Sequence, residues 1–451
     1  MTGRGWGTGA GGWVVLVLLR LSVPGLAAPL AAQTDRVERA IVRAVDARRD
    51  SGIAMLERAV NINSGTLNLA GVRAVGYLFM AELDALGFAT RWVDGAEFER
   101  AGHLVAVRGT RGPRILLIGH LDTVFEPDSP FQRFERLDDS TARGPGVVDM
   151  KGGNVVIIEA LRALRAAGVL DRLSLQVVLT GDEERSGRPL TAARAALVAA
   201  AAWADLAIGF ENADNDPSTA VVARRGSTGW ELRVTGQPSH SSQIFRDEVG
   251  AGAVFEAARI LHRFYDELSA EPNLSFNPGA IVGGTEVAWD NAQARGTAFG
   301  KNNVVAAHAV VTGDLRTLSP EQLAGAKTRM LAIAADHLPH TMAELTFTDS
   351  YPPLAPAEGN RRLLAQLDQV SRDLGLGPVT AVDPRNAGAA DVSFTAGLVD
   401  AVVDGLGTKG ADEHTARESI DLRSLPLQAK RTAVLLYRLS RGNPLPLSPS
   451  P

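Results

Sequence analysis

Apolar residues recur along this chain in two alternating rhythms. Residues 35–60 and 70–86 carry them at helical spacing, and the second stretch runs into Gly87 as a stop. Residues 104–108 and 114–119 are short apolar runs bounded by turn residues, the pattern of buried strands. A helical pattern returns over 153–167, with Gly168 behind it. A strand over 174–179, a helix over 188–202 and a strand over 206–210 follow. Strands alternating with helices predict an α/β fold, a mostly parallel mixed sheet with helices on both faces.

The rhythm changes after Arg225. Residues 228–235 alternate like a half-exposed strand, and 250–268 read as a long helix. Strands over 279–287 and 303–314, a helix over 320–338 and a strand over 343–348 follow. This β-α-β-β-α-β order predicts an inserted split-βαβ (ferredoxin-like) domain over 225–348. It divides a main domain into 33–224 and 349–442. The first 32 residues have a Gly-rich start with Arg4, an apolar stretch broken by Arg20, and small residues up to Ala32. That is the pattern of a secretory signal, so the expected location is periplasmic or secreted. The Pro/Ser-rich tail 443–451 is expected to be disordered.

Composition narrows the function. In 451 residues, 46 Lys+Arg stand against 51 Asp+Glu, a net charge of −5. A chain without basic excess does not suit nucleic acid. After the signal no apolar run reaches the ~18 residues of a spanning helix, so no membrane span is expected in the mature chain. There is no cysteine. Disulfides, thiolate catalysis, iron–sulfur clusters and Cys-ligated zinc are excluded. Any metal must be held by His, Asp and Glu.

The candidate chemistry sits behind the apolar strands, where open parallel sheets place their sites. His120-Leu121-Asp122 ends one strand: a metal-ligating His needs a partner for its second ring nitrogen, and Asp122 is a candidate. Gly144–Gly153 (GPGVVDMKGG) opens a helix; it does not match a phosphate cradle, since Lys151 precedes the glycines, and Asp149 is its candidate ligand. Thr180–Glu184 (TGDEE) crowds three acids at a strand mouth, where a divalent cation offsets their repulsion. Adjacent Glu183 and Glu184 could divide labour, one ligating and one free as general base. Glu211 follows another strand, and His414 lies in a Gly-rich loop. Each stretch alone also reads as an ordinary turn. Together, two His and three carboxylates suit a two-metal site, with Zn2+ favoured over Co2+ or Mn2+.

The ordered motifs HLD, GPGVVDMKGG, TGDEE, FE, SHSS and the late His resemble the M20 metallopeptidases, and most closely their glutamate carboxypeptidase-like (carboxypeptidase G2-type) branch. The match runs from about Asn61 to Ser440. The resemblance implies one zinc on His120, Asp149 and Glu211 and a second on Asp149, Glu184 and His414, with Asp149 bridging. It implies that Asp122 orients His120, that Glu183 is the general base, and that the Asp149–Met150 peptide is cis. It makes the insert a lid and dimerisation domain, hinged near Arg225 and Thr348. His240 would reach the partner subunit's site, Asn303 would lie beside the scissile carbonyl, and Arg316 would grip a substrate carboxylate. Gly388 falls in the family's substrate-contact loop. The implied reaction is hydrolysis of an amide bond next to a free carboxylate, in a peptide or N-acyl amino acid, by a homodimer. One departure bears on specificity: the branch has a lysine where this chain has Thr219. An N-acyl-amino-acid amidohydrolase or dipeptidase on the same scaffold is the alternative. A non-catalytic periplasmic binding protein would not need all these groups. His103, His262, His308, His337 and His340 lack motif context and read as structural.

Overall fold

The computed structural model describes residues 34–291 and 293–442. The expected signal (1–32) and tail (443–451) lie outside them. The central sheet has six strands, in the spatial order Ala89–Asp94, Gly102–Arg108, Ser174–Thr180, Arg114–His120, Leu206–Gly209 and Ala401–Val403. The last four are mutually parallel. Gly102–Arg108 runs antiparallel to both of its neighbours.

The continuous apolar run of Arg114–His120 follows from burial on both faces. Ile115 and Leu117 join the core beneath helices Lys151–Ala166 and Ser424–Leu439, while Leu116 and Ile118 join the one beneath Leu190–Trp203. A period of two sends successive side chains to opposite faces, so both must be apolar.

Several elements depart from the expected limits. The helix expected over 35–60 is two, Arg36–Asp46 and Arg49–Val60. Arg48 leaves helical geometry where its guanidinium reaches the buried Glu159, 2.8 Å away. The helix expected from 188 begins at Leu190, because Pro189 is extended. The helix expected from 153 begins at Lys151, which puts Asp149 directly before its first turn. The edge strand Ala89–Asp94 was not expected; its residues alternate only between half-buried and exposed.

Residues 228–349 form a second sheet with its own core. Its strands run Ser275–Gly284, His308–Arg316, Thr228–Gly236 and Thr341–Asp349, all antiparallel. Helices Gly252–Leu268 and Pro320–Ala335 cover one face, packing Phe264, Ile260 and Met330 on Trp230, Leu232 and Val311. This is the split-βαβ order. The strand expected over 279–287 ends at Gly284, and a separate hairpin, Glu286–Asp290 with Arg295–Phe299, follows. A Cβ at Gly284 would lie 2.5 Å from the Phe299 carbonyl oxygen, so only glycine allows that fold-back. The strand expected from 303 begins at His308, leaving Asn303 in an irregular segment. Among the described residues no helix is long and apolar enough to cross a membrane.

Candidate metal centre

The parallel strands all point their C-terminal ends at one edge, and the acids and histidines gather there. His120 is the last residue of its strand, and Glu183, Glu184 and Glu211 follow two others. His120 Nδ1 lies 3.0 Å from the carbonyl oxygen of Asp122. A carbonyl only accepts, so Nδ1 carries the proton and Nε2 faces the centre. There Nε2 meets Asp149 Oδ1 at 3.0 Å and Glu211 Oε1 at 3.3 Å. His414 Nε2 meets the other oxygen of the same carboxylate, Asp149 Oδ2, at 3.0 Å, and Glu184 Oε2 at 3.2 Å. Asp149 thus faces a different histidine with each oxygen. Lone pairs facing one another at such distances need a proton or a cation between them. His120, Asp149 and Glu184 form a metal-competent cluster with ligand atoms within 4.8 Å of one another. The all-N/O donor set fits divalent ions of the zinc type.

The electrostatics agree. Burial, with Glu211, Asp391 and Glu184 adding to it, raises Glu183 well above the usual carboxylate range. Burial also raises Glu184, and it pushes Glu211 up to about 7. Burial opposes the charged form of His120, but Glu211, Asp122 and Asp149 outweigh it and raise the imidazole well above its ordinary value. Burial and mutual repulsion thus disfavour the charged forms of these acids, a penalty that a bound dication would offset.

Asp122 lies against the second ring nitrogen of His120. It meets His120 chiefly through its carbonyl, with the nearer carboxylate oxygen 3.5 Å from Nδ1. That carboxylate also accepts from Thr66 Oγ1 at 2.7 Å and from the backbone N–H groups of Glu183 and Glu184 at 3.0 and 3.1 Å. It therefore fixes the turn carrying both glutamates. The Asp149–Met150 peptide is cis.

Other residues hold the centre and were not picked out from the sequence. The buried Glu418 carboxylate accepts from the N–H groups of Gly146, Val148 and Asp149 at 3.0, 3.0 and 3.1 Å, clasping the loop that presents Asp149. Asp404 accepts from the Glu211 N–H at 3.2 Å and pairs with the buried Arg224 at 2.7 Å. Arg224 also donates to the Gly388 carbonyl at 2.7 Å, tying the Gly-rich loop to the centre. An acid four residues after His414 was the available signal for Glu418. Asp404 follows the three-residue strand Ala401–Val403 and has no sequence signal of its own. Lys151 does not reach the centre: its buried ammonium donates to the Ile62 carbonyl at 3.0 Å, and burial pushes it down to about 7. Only glycine fits at 153 and 407, where a Cβ would lie 2.1 and 2.3 Å from the Phe210 carbonyl oxygen.

A cavity of about 220 Å³ opens onto the centre, lined by Asp149, Glu183, Glu184, Glu211 and His414 on one side and by Asn386 to Ala390, including Gly388, on the other. His240, Asn303 and Arg316 do not line it. His240 is exposed; its segment pairs with Val304, and the Ser241 N–H donates to the Asn303 carbonyl at 2.9 Å. Arg316 Nε bonds Asp314 at 2.6 Å. Thr219 Oγ1 lies 2.8 Å from the carbonyl oxygens of both Ala213 and Asp216, so its single proton is kept within the 213–219 turn.

The family model described as Peptidase family M20/M25/M40 matches residues 116–438. The chain belongs to this family. Membership makes it a hydrolase of the metallopeptidase and amidohydrolase type. It is similar to carboxypeptidase G2 of Pseudomonas sp. (strain RS-16), 27% identical over 432 residues covering 95% of this chain and 98% of that one. Among solved structures it resembles the aminopeptidase PepT of Bacillus cereus ATCC 10987 (TM-score 0.67, 17% identity, 87% and 98% of the two chains). It also resembles the Bacillus subtilis YXEP protein, a dinuclear metal binding peptidase of the M20 family (TM-score 0.60, 16% identity, 88% and 99% covered). The family's fold is thus the mixed α/β layer with its inserted domain.

Proposed function

We propose that this chain is a di-zinc carboxypeptidase-like hydrolase, exported from the cytoplasm, that cleaves an amide bond next to a free carboxylate. One observation carries the reading: each oxygen of Asp149 faces a separate histidine at 3.0 Å, in a cavity that also holds Glu183. His120, Asp149 and Glu211 would hold one ion, and Asp149, Glu184 and His414 the other. The full-length similarity to a carboxypeptidase supports the substrate class. When bound, such ions would supply Lewis acidity, acidifying a nucleophilic water and polarising the substrate carbonyl.

In this reading the Glu183 carboxylate takes a proton from the attacking water at one oxygen and returns it to the leaving nitrogen. Its burial, which raises it well above the usual carboxylate range, suits a group that must take up and release a proton. Arg316 grips the substrate carboxylate; only its Nε is engaged among its described contacts, which leaves the terminal nitrogens for a bidentate fork. The Gly388 loop lies against the substrate backbone. His240 and Asn303 polarise the scissile carbonyl from a partner subunit, in a dimer joined through the lid. Two observations favour that arrangement: His240 is exposed and away from its own cavity, and Phe245, Phe255, Ile281 and Met342 leave apolar surface open on the lid. Thr219 offers no cation to an acidic side chain, so the substrate's C-terminal residue need not be glutamate. An N-acyl-amino-acid amidohydrolase or dipeptidase would use the same centre.

The test is Glu183→Gln, assayed on a panel of N-acetyl and N-benzoyl amino acids and dipeptides. Turnover should fall about a hundredfold or more while bound metal is unchanged. Near-normal turnover would reject Glu183 as the base.

A further inference from the structure

The two segments that join the lid to the main domain run side by side and are bonded to each other. Arg224 and Leu354 exchange backbone hydrogen bonds of 3.0 and 2.9 Å. The Ser227 N–H donates to the Tyr351 carbonyl at 2.8 Å, and the Ser350 N–H to the Ser227 carbonyl at 3.1 Å. Rotation of the lid about these connections must pass through Tyr351 or its immediate neighbours.

The Tyr351 side chain leaves this crossover and enters the main domain. Its hydroxyl lies 2.8 Å from the Glu183 carbonyl oxygen and 2.9 Å from Arg194 Nη2. A guanidinium only donates and a carbonyl only accepts, so the single hydroxyl proton goes to Glu183. Arg194 is held in turn: Nη1 is 2.6 Å from Asp182 and Nε 2.8 Å from Asp391, and all three side chains are buried. Its guanidinium lies over the rings of Tyr351 and Phe394, 5.6 and 5.4 Å from their centroids.

Glu183 is therefore held at both ends of its backbone. Its N–H donates to Asp122 in the metal centre, and its carbonyl accepts from Tyr351 at the crossover. Beside the tyrosine a crevice of about 430 Å³ opens between helix Pro320–Ala335 and Phe394, leaving the crossover room to shift.

We propose that Tyr351 is a positioning residue that couples the orientation of the lid to the backbone of Glu183, setting where the Glu183 carboxylate points when the lid moves. This rests on Glu183 being the base. Tyr351 touches no reacting atom; it acts through the Glu183 carbonyl.

The test is Tyr351→Phe, which keeps the ring and removes the hydrogen bond, beside Phe394→Leu, which loosens the same packing and leaves the bond in place. In Tyr351→Phe, kcat on the fastest substrate of the panel should fall about tenfold with KM and bound metal unchanged. Amide hydrogen exchange over residues 181–187 should quicken. Phe394→Leu should lower Tm at least as much and leave kcat near the unmodified value. Unchanged kcat and exchange in Tyr351→Phe would overturn the inference, and so would an equal loss of kcat in Phe394→Leu. Glu183→Gln on the same substrate separates the two readings. Full turnover there removes the base and this inference with it. An inactive Glu183→Gln beside a fully active Tyr351→Phe overturns this inference alone.

Discussion

Asp149 is the residue on which the site turns, because each of its oxygens has its own imidazole. In the metal-free chain this arrangement stores protons. Burial raises Glu211 from an ordinary 4.5 to about 7, and hydrogen bonds to Asp149 and Glu184 raise His414 from 6.5 to about 11. Between each pair of values the folded chain keeps a proton that the unfolded chain has lost. Stability from these two groups is full below the unfolded values and falls as pH rises through the folded ones. Bound cations replace those protons, and ligands must be deprotonated to bind them. The rise in Tm on adding Zn2+ should therefore be larger at pH 8 than at pH 6 in calorimetry; a rise that does not depend on pH would contradict this account of the cluster. At this scale the ligating types were legible in the sequence, since His, Asp and Glu at strand ends have few other uses as a set. The residues that hold them were not. Glu418 and Asp404 act largely on backbone N–H groups, and the position of Glu418 four residues after His414 does not say which amides its carboxylate will meet.

At the scale of elements, the buried strands were the easiest to read. Arg114–His120 and Ser174–Thr180 are apolar at successive positions because both faces of the sheet are covered. Boundaries failed where tertiary contacts override local pattern, as at Arg48, drawn out of the helix towards Glu159. They failed also at Gly284, where the close approach of another backbone ends the strand. The inserted domain's order of elements was readable, but not where its segments lie relative to the centre. His240 and Asn303 lie next to each other and outside the cavity. The proposal that a partner supplies them makes a direct prediction. His240→Ala should lose turnover and keep its metal. Mixing it with Glu183→Gln should restore about a quarter of normal activity, since half of the dimers then carry one complete site. No recovery on mixing would place His240 in its own subunit's site or outside catalysis.

For the whole molecule, the absence of cysteine has a structural counterpart. The centre is built entirely from imidazole and carboxylate on a sheet edge, with no thiol among its groups. The fold class and the family were both legible, because a parallel sheet concentrates its chemistry at one edge and the motifs fall in strand order. Substrate choice was not, because the groups proposed to contact substrate sit on two domains and a second chain. The central claim is that metal held by His120, Asp149, Glu184, Glu211 and His414 is required for hydrolysis. The most direct measurement is turnover of the N-acyl amino acid and dipeptide panel after exhaustive chelation, followed by titration with Zn2+. The account predicts complete loss of activity, and its return as about two equivalents are bound per chain. Activity that survives removal of the metal would contradict it.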